Sequence, residues 1–416
     1  MGLPNFMNTA QHKQAQRVCP VCEDFRVEAL HHQDFVLPEA HPLAAGYDVV
    51  ACLKCGFVYA DTLIGQAEYD LFYEAYSKYD DVQTSTGGGG TAHDAERLAA
   101  TAADLAAFLN NPAARILDIG CATGGLLHEL KKRGYHNLCG LDPSPAAARF
   151  GRENFGLEMQ VGTLSQHSLE GQFDCVLLSH VLEHVQDLRA SMSEIRALMK
   201  NSGVLYVEVP DAARYAECII APFQDFNTEH INHFGRASLA ALVGQFGFTP
   251  KHMAQKTIEA APGLPYPALY GFWMATEDAE RIEFERDEQF LESIRLYIRH
   301  SREMLNEIDA RLGAALETMP QIDVWGAGQL TLKLLGETVL GKANIRHFID
   351  GNPINHGKTL FGRTVISPQQ WVENPLPVVI ASTIHQDAIV GKIRDELKVD
   401  VPLITLRAST RAESKL

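Results

Sequence analysis

Basic residues are in short supply. Lysine and arginine total 36 against 52 aspartates and glutamates, a net charge of −16, and the isoelectric point is near 5.5. Gripping a nucleic-acid polymer takes a concentrated basic face, so no such partner is expected, although a local basic pocket still suits a small anion. Long apolar runs are missing too. No stretch approaches the ~20 residues of a membrane span, and the opening MGLPNFMNTAQHKQAQRV holds no signal-peptide core. Its Gly2 lacks the myristoylation pattern, because Phe6 stands where Ser or Thr is required. A cytoplasmic protein with no membrane partner is the expectation. Internal repeats and long low-complexity tracts are absent. A disulfide framework is not indicated either: of eight cysteines, four form two tight pairs and four are scattered through apolar segments.

What is present is an ordinary globular composition, 46% hydrophobic and 21% charged. At 416 residues the chain exceeds one comfortable core, so two or three domains are expected. The run TGGGGT, Thr86 to Thr91, reads as a hinge after a tyrosine-rich segment. Beyond it ARILDIG, NLCGLDP, FDCVLLS and GVLYVEVP read as buried parallel strands separated by amphipathic helices. AAPGLPYPALYGF, Ala260 to Phe272, reads as a crossing linker. After it, Leu291, Ile294, Ile298, Leu305, Ile308 and Leu312 recur at the spacing of one long helix. From IDVWGAG onward strand and helix alternate again. The expected division is a metal-binding, tyrosine-rich domain over 1–85, an α/β doubly wound domain over 92–259, a linker and long helix over 260–319, and a second α/β unit over 320–416.

CPVC (Cys19, Cys22) and CLKC (Cys52, Cys55) stand 29 residues apart. Two such pairs supply the four soft ligands that Zn(II) takes tetrahedrally, and four protein ligands leave no open position. A structural zinc is therefore expected at these cysteines, without a part in the chemistry.

ILDIGCATGGLLHEL is the most informative stretch. A buried strand ends in Gly120, turns through Cys121 to Gly125 and enters a helix, whose free amides face whatever binds there. The glycine spacing is Gly120-x-x-x-Gly124, not the Gly-x-Gly-x-x-Gly of dinucleotide enzymes. Twenty-two residues after Gly120, the next strand ends in Asp142, where a carboxylate can accept both hydroxyls of a ribose. Loop, acid and the block FDCVLLSHVLEHV together resemble the class I S-adenosylmethionine-dependent methyltransferases. The resemblance implies that Gly120, Cys121 and Gly124 line the methionine half of S-adenosylmethionine and that Asp142 holds its ribose. Asp118 stands at the family's strand-end acidic position, Thr163 and Leu164 flank the adenine, and Ser179 closes the fourth strand.

The order of parts is more specific. A double CxxC, a tyrosine-rich approach, a methyltransferase core and a C-terminal Rossmann-like unit resemble the three-domain sugar C-methyltransferases, which methylate a carbon of a nucleotide-linked keto-deoxysugar. That family carries Tyr-x-Glu-His, with the histidine as base. The matching positions here read Asn227-Thr228-Glu229-His230, so His230 is the implied base, Glu229 orients it or binds substrate, and Asn227 replaces the tyrosine. A second family histidine corresponds to His184, and His180 is a further candidate for substrate contact. Tyr73, Tyr76 and Tyr79 resemble the family's aromatic lid. His233 reads as a packing or capping residue.

The C-terminal unit departs from the family. Leu330 and Asn355 stand where two substrate-holding lysines are expected, which opens the acceptor to another sugar, or to a hydroxyl methylated on oxygen. Two rivals complete the reading. Gly326-x-Gly328 followed by Asp350 superficially fits a nicotinamide-binding oxidoreductase, and a non-catalytic cofactor- and zinc-binding module is the other.

Overall fold

The computed structural model describes residues 12–38, 41–76, 92–261, 263–277 and 283–407. Tyr79, the TGGGGT run and the side chain of Tyr76 lie outside the described residues. Two compact units make up the chain. The first draws on the chain up to His32, on Tyr47–Cys218 and on Glu229–Ile294. The second draws on Gln33–Gly46, Ile219–Thr228 and the chain from Arg295 on.

A seven-stranded sheet centres the first unit. Its strands, numbered within this sheet, are β1 (Arg115–Ile119), β2 (Asn137–Asp142), β3 (Glu158–Val161), β4 (Phe173–Ser179), β5 (Met199–Pro210), β6 (Phe248–Ala261) and β7 (Leu264–Ala275). They lie in the order β6-β7-β5-β4-β1-β2-β3. β1 to β5 are parallel, and β7 and β6 add an antiparallel hairpin at the β5 edge. The four strands expected from the sequence are therefore present. They read as continuous apolar runs because helices cover both faces. Leu117, Val176, Leu178, Leu205 and Val207 face one way, against Leu188, Met192 and Ile195 of the helix Leu188–Leu198. Ile116, Cys175, Leu177 and Tyr206 face the other, against Leu98, Ala102 and Leu105 of the helix Ala92–Leu109.

The segment Ala260 to Phe272, expected as a crossing linker, is instead the turn of that hairpin and most of β7. Its prolines are tolerated for a positional reason. β7 pairs with β5 only from Ala268 on, so Pro265 and Pro267 lie beyond that ladder, opposite Glu259 and Thr257 of β6.

A smaller five-stranded sheet is built from His12–Gln14, Arg26–Asp34, Gly46–Cys52, Val58–Asp61 and, from far along the chain, Asn232–His233. The last strand pairs antiparallel, Asn232 with Tyr59 and His233 with Val58. Cys19, Val21, Phe57 and Tyr59 share one hydrophobic cluster with β1 and β4.

The second unit carries a six-stranded sheet in the order Thr359–Leu360, Arg363–Ile366, Ile345–Ile349, Ile322–Trp325, Val378–Ile380, Leu403–Thr405. Only its first pair is antiparallel. Buried Asp323 is neutralised there by Arg346 and accepts Trp371 Nε1–H at 2.9 Å. The division between units falls inside the helix Glu288–Leu316, whose six periodic apolar residues are all buried. Among the described residues no helix is long and apolar enough to cross a membrane.

Candidate active site

The strand order of the central sheet reverses between β1 and β4, and ligands of such sheets bind in the crevice at the carboxyl ends there. A cavity of about 430 Å3 opens at this place, lined by Gly120 after β1, Asp142 at the end of β2, Thr163 and Leu164 after β3, and His180 and His184 after β4. A second cavity of about 200 Å3 adjoins it and shares Gly120, His180 and His184. Asp118, Cys121, Ser179 and His230 line this second one.

Gly120 takes φ +67°, and a Cβ there would meet Val181 Cγ2 at 2.8 Å, so the turn admits only glycine. Gly124, expected to line the methionine side, lines neither cavity. It sits at φ +83°, where a Cβ would meet Leu157 Cδ1 at 2.6 Å, so it shapes the loop from behind. Asp142 accepts the amide hydrogens of Ala122 at 2.7 Å and Ser144 at 2.9 Å. Burial pushes its carboxyl up to about 6 against the pull of those two amides. Asp118 is pushed up to about 8, by burial first and by Asp142 second. Burial likewise holds the Cys121 thiol well above its ordinary value.

The helix Gln66–Tyr76 borders the larger cavity. Gln66 Oε1 accepts the amides of Gln186 at 3.0 Å and Asp187 at 3.2 Å. Asp70 accepts the hydroxyls of Ser165 at 2.7 Å and Thr163 at 3.4 Å. Neither Gln66 nor Asp70 is marked by any motif. Tyr73 lines the same cavity and meets the His184 ring edge-on, with centroids 5.8 Å apart. Asn227 belongs to the second unit, where its amide donates to the carbonyl of Gln224 at 3.0 Å.

His184 and His230 come together with ring centroids 4.8 Å apart. His184 Nδ1 lies 3.1 Å from the main-chain carbonyl of Glu229. A carbonyl oxygen only accepts, so the proton is on Nδ1, and Nε2 is the nitrogen left for chemistry. Glu183 Oε1 is 3.9 Å from that Nε2. His180 is held differently, by Glu183 at 3.2 Å on one ring nitrogen and Glu208 at 3.2 Å on the other. Burial opposes its charge, but the two carboxylates win and raise it to about 9. With both nitrogens donating, His180 is a charged clamp and not a base. Its backbone sits at φ +57°, an uncommon conformation for a side chain of this size. Lys256 and Tyr206 complete the network around Glu208. Glu183, Glu208 and Lys256 carried no signal a single sequence could expose. His233 is fully buried, and burial lowers it to about 3, so it stays neutral in the packing.

Among the described residues two groups could hold a metal ion. Glu183, His184 and His230 place one ligand atom each within 4.8 Å of one another. Cys19, Cys22, Cys52 and Cys55 do the same with four thiols, all buried and none in a disulfide. Cys19 and Cys55 sulfurs are 3.6 Å apart, and Cys22 and Cys52 sulfurs 3.4 Å. A tetrahedral site with Zn–S bonds of about 2.3 Å needs sulfurs about 3.8 Å apart, so the four fit that ion. The tight turns support them: Lys54 N–H points at Cys52 Sγ at 3.4 Å, and Gly56, at φ +74°, would place a Cβ 2.9 Å from the Asp287 amide.

Residues 91–252 match the family described as Methyltransferase domain. A ubiquinone biosynthesis O-methyltransferase of Rhodopseudomonas palustris (strain BisB5) is 33% identical over 98 residues, covering 22% of this chain and 38% of that protein. A tRNA U34 carboxymethyltransferase of Dichelobacter nodosus is 31% identical over 135 residues, covering 31% of this chain and 42% of that protein. The chain thus spans less than half the length of these curated relatives. Among solved structures, the 1,6-didemethyltoxoflavin-N1-methyltransferase of Burkholderia thailandensis aligns with a TM-score of 0.40 at 20% identity, over 54% of this chain and 98% of that one. The match to a methyltransferase domain covers less than half of the chain.

Proposed function

We propose that the protein methylates a sugar, in the first instance the carbon beside the ketone of a nucleotide-linked keto-deoxysugar, with His230 as the base. The observation that carries this reading is the His184–His230 pair, 4.8 Å apart beside the glycine turn and the end of β4. Bound S-adenosylmethionine would supply an electrophilic methyl, whose bond to sulfur breaks as the new carbon–carbon bond forms, leaving S-adenosylhomocysteine. Gly120, Cys121, Asp118 and Ser179 would seat its amino-acid half, Asp142 its ribose, and Thr163 and Leu164 its adenine. His230 takes the proton from the acceptor carbon, and the electrons of that C–H bond become the attacking enolate. His184 Nε2, left without a proton by the Nδ1–H bond to the Glu229 carbonyl, would accept a hydrogen bond from a hydroxyl of the acceptor. Glu229 keeps His184 in the required tautomer through its main-chain carbonyl. The proton leaves from His230 to water. Tyr73 would close on the acceptor, and Zn2+ at the four cysteines would staple the small sheet.

Methylation on oxygen is the second reading. Two of its supports are specific: the relatives named O-methyltransferases, and a histidine base, which serves a hydroxyl as well as a carbon acid. Incubation with methyl-labelled cofactor and a panel of keto-sugar nucleotides, their hydroxyl analogues and free glycans separates the two. Carbon NMR of the product places the label. A new carbon-bound methyl is the expected result; label on oxygen would transfer the assignment to the second reading, and no label with any sugar would overturn both.

A further inference from the structure

His230 reaches the site as an appendage of the cysteine-bearing sheet. Two residues after it, Asn232 pairs with Tyr59 in that sheet, and the carbonyl of Ile231 accepts the Ala60 amide at 2.9 Å. Asn232 also reaches the other histidine. Its side-chain amide donates to the carbonyls of Leu182 at 2.8 Å and Val185 at 2.6 Å, which bracket the turn bearing Glu183 and His184. Ile231 N–H donates to the Glu183 carbonyl at 2.8 Å.

Arg17 closes this frame from the N-terminal side. Only 6% exposed, its guanidinium donates to Asn232 Oδ1 at 3.0 Å, to the Ile231 carbonyl at 3.4 Å and to the Gln186 carbonyl. Its own backbone is pinned: the Arg17 amide donates to Asp61 at 2.9 Å, and the Arg17 carbonyl accepts the Tyr59 hydroxyl at 2.9 Å. Cys19 follows two residues later. One planar fork therefore binds the segment after His184 and the segment after His230 at once, a task that five fixed donors suit and a point charge does not.

We propose that Arg17 and Asn232 are the positioning residues of the histidine pair, and that through them the four-cysteine knot sets the distance and tautomer of His184 and His230. Neither side chain lines either cavity, so their effect on turnover passes through the two histidines. The proposal rests on the reading of this pair as acid–base machinery, and its test is chosen to stand apart from that reading.

The experiment uses the full-length, zinc-loaded protein with nitrogen-labelled histidine, comparing wild type, Arg17→Lys and Asn232→Ser. Histidine NMR, assigned with His184→Gln and His230→Gln, reports the tautomer of His184 and the ring environment of His230. Calorimetry reports S-adenosylhomocysteine affinity. The expected result is that both variants lose the Nδ1–H signature of His184 and move the His230 ring signals, with cofactor affinity unchanged. With a working acceptor, kcat falls by up to about 100-fold, as a misplacement near 1 Å does, while acceptor KM changes little. Unchanged His184 and His230 signals in a variant that keeps cofactor affinity would overturn the proposal. If one variant fails to fold, the other carries the same reading. Changed signals with no methyl transfer in wild type would uphold the frame and sink the reaction instead.

Discussion

The two halves of the site are built on opposite plans. The proposed cofactor half is made largely of backbone: the turn at Gly120, the end of β2 at Asp142 and the segment after β3 all fall within about fifty residues of one another in the chain. The histidine half is made of side chains held by long-range hydrogen bonds. Arg17 and Asn232, which frame it, are 215 residues apart. A backbone-made site stays formed wherever the sheet is formed, because parallel-strand pairing leaves the turn few alternatives. A side-chain-made site depends on each tie in turn. Damage should therefore separate: perturbations of the small sheet cost turnover, and perturbations of the β1–β2 turn cost binding.

The harshest way to break this comparison is to remove the proposed zinc. Structural zinc contributes about 10 kcal/mol or more in small sites, so stripping it with a chelator, or Cys52→Ser, is expected to abolish methyl transfer and lower Tm. Cofactor affinity measured by calorimetry should fall far less; equal loss of both would erase the distinction between the halves. Next comes His230→Gln. Turnover is expected to drop by about 10²- to 10⁴-fold, the range for a lost general base, with cofactor affinity unchanged. A fully active variant would take the base away from His230.

The mirror experiment is Asp142→Ala. It removes the proposed ribose acceptor and frees the Ala122 and Ser144 amides. At about 1.5–3 kcal/mol for charged hydrogen bonds, cofactor binding should weaken about 10- to 100-fold, while histidine NMR signals stay in place. The smallest effect is one of pH. Asp118 has a folded value near 8 against an ordinary 3.8, so the folded protein binds a proton that the unfolded chain has released. Its stabilising share is complete below about pH 3.8 and is lost as pH rises to about 8. Asp118→Asn should therefore raise the Tm of the ligand-free protein at pH 8, with the gain shrinking toward pH 4. A Tm gain independent of pH would put the effect down to packing.

Much of this architecture was legible in the chain. The Gly120 turn, Asp142 and the paired cysteines are local patterns whose spacing follows from a strand–turn–helix and from tetrahedral ligation. The long helix was legible because Leu291 to Leu312 keep one period across a single face. The hairpin of β6 and β7 was not: Pro265 and Pro267 read as breakers, since nothing local reveals that β7 outruns its neighbour before they occur. Spacing alone does not tell the inside of the Gly120–Gly124 turn from its back. Gln66, Asp70, Glu183 and Glu208 escaped notice because isolated polar residues of their kind are usually solvated surface.

By itself, then, the sequence determined where the cofactor loop, the strand-end acids and the four thiols fall, because each is decided by residues a few positions apart. Only the tertiary structure decided that His184 meets His230, that His180 is a clamp between Glu183 and Glu208, and that Arg17 stands behind all of them. Apart from His180 and Glu183, three positions apart, those contacts join residues tens to hundreds of positions apart. They acquire their geometry from the packing of one sheet upon another, and no periodicity along the chain records it.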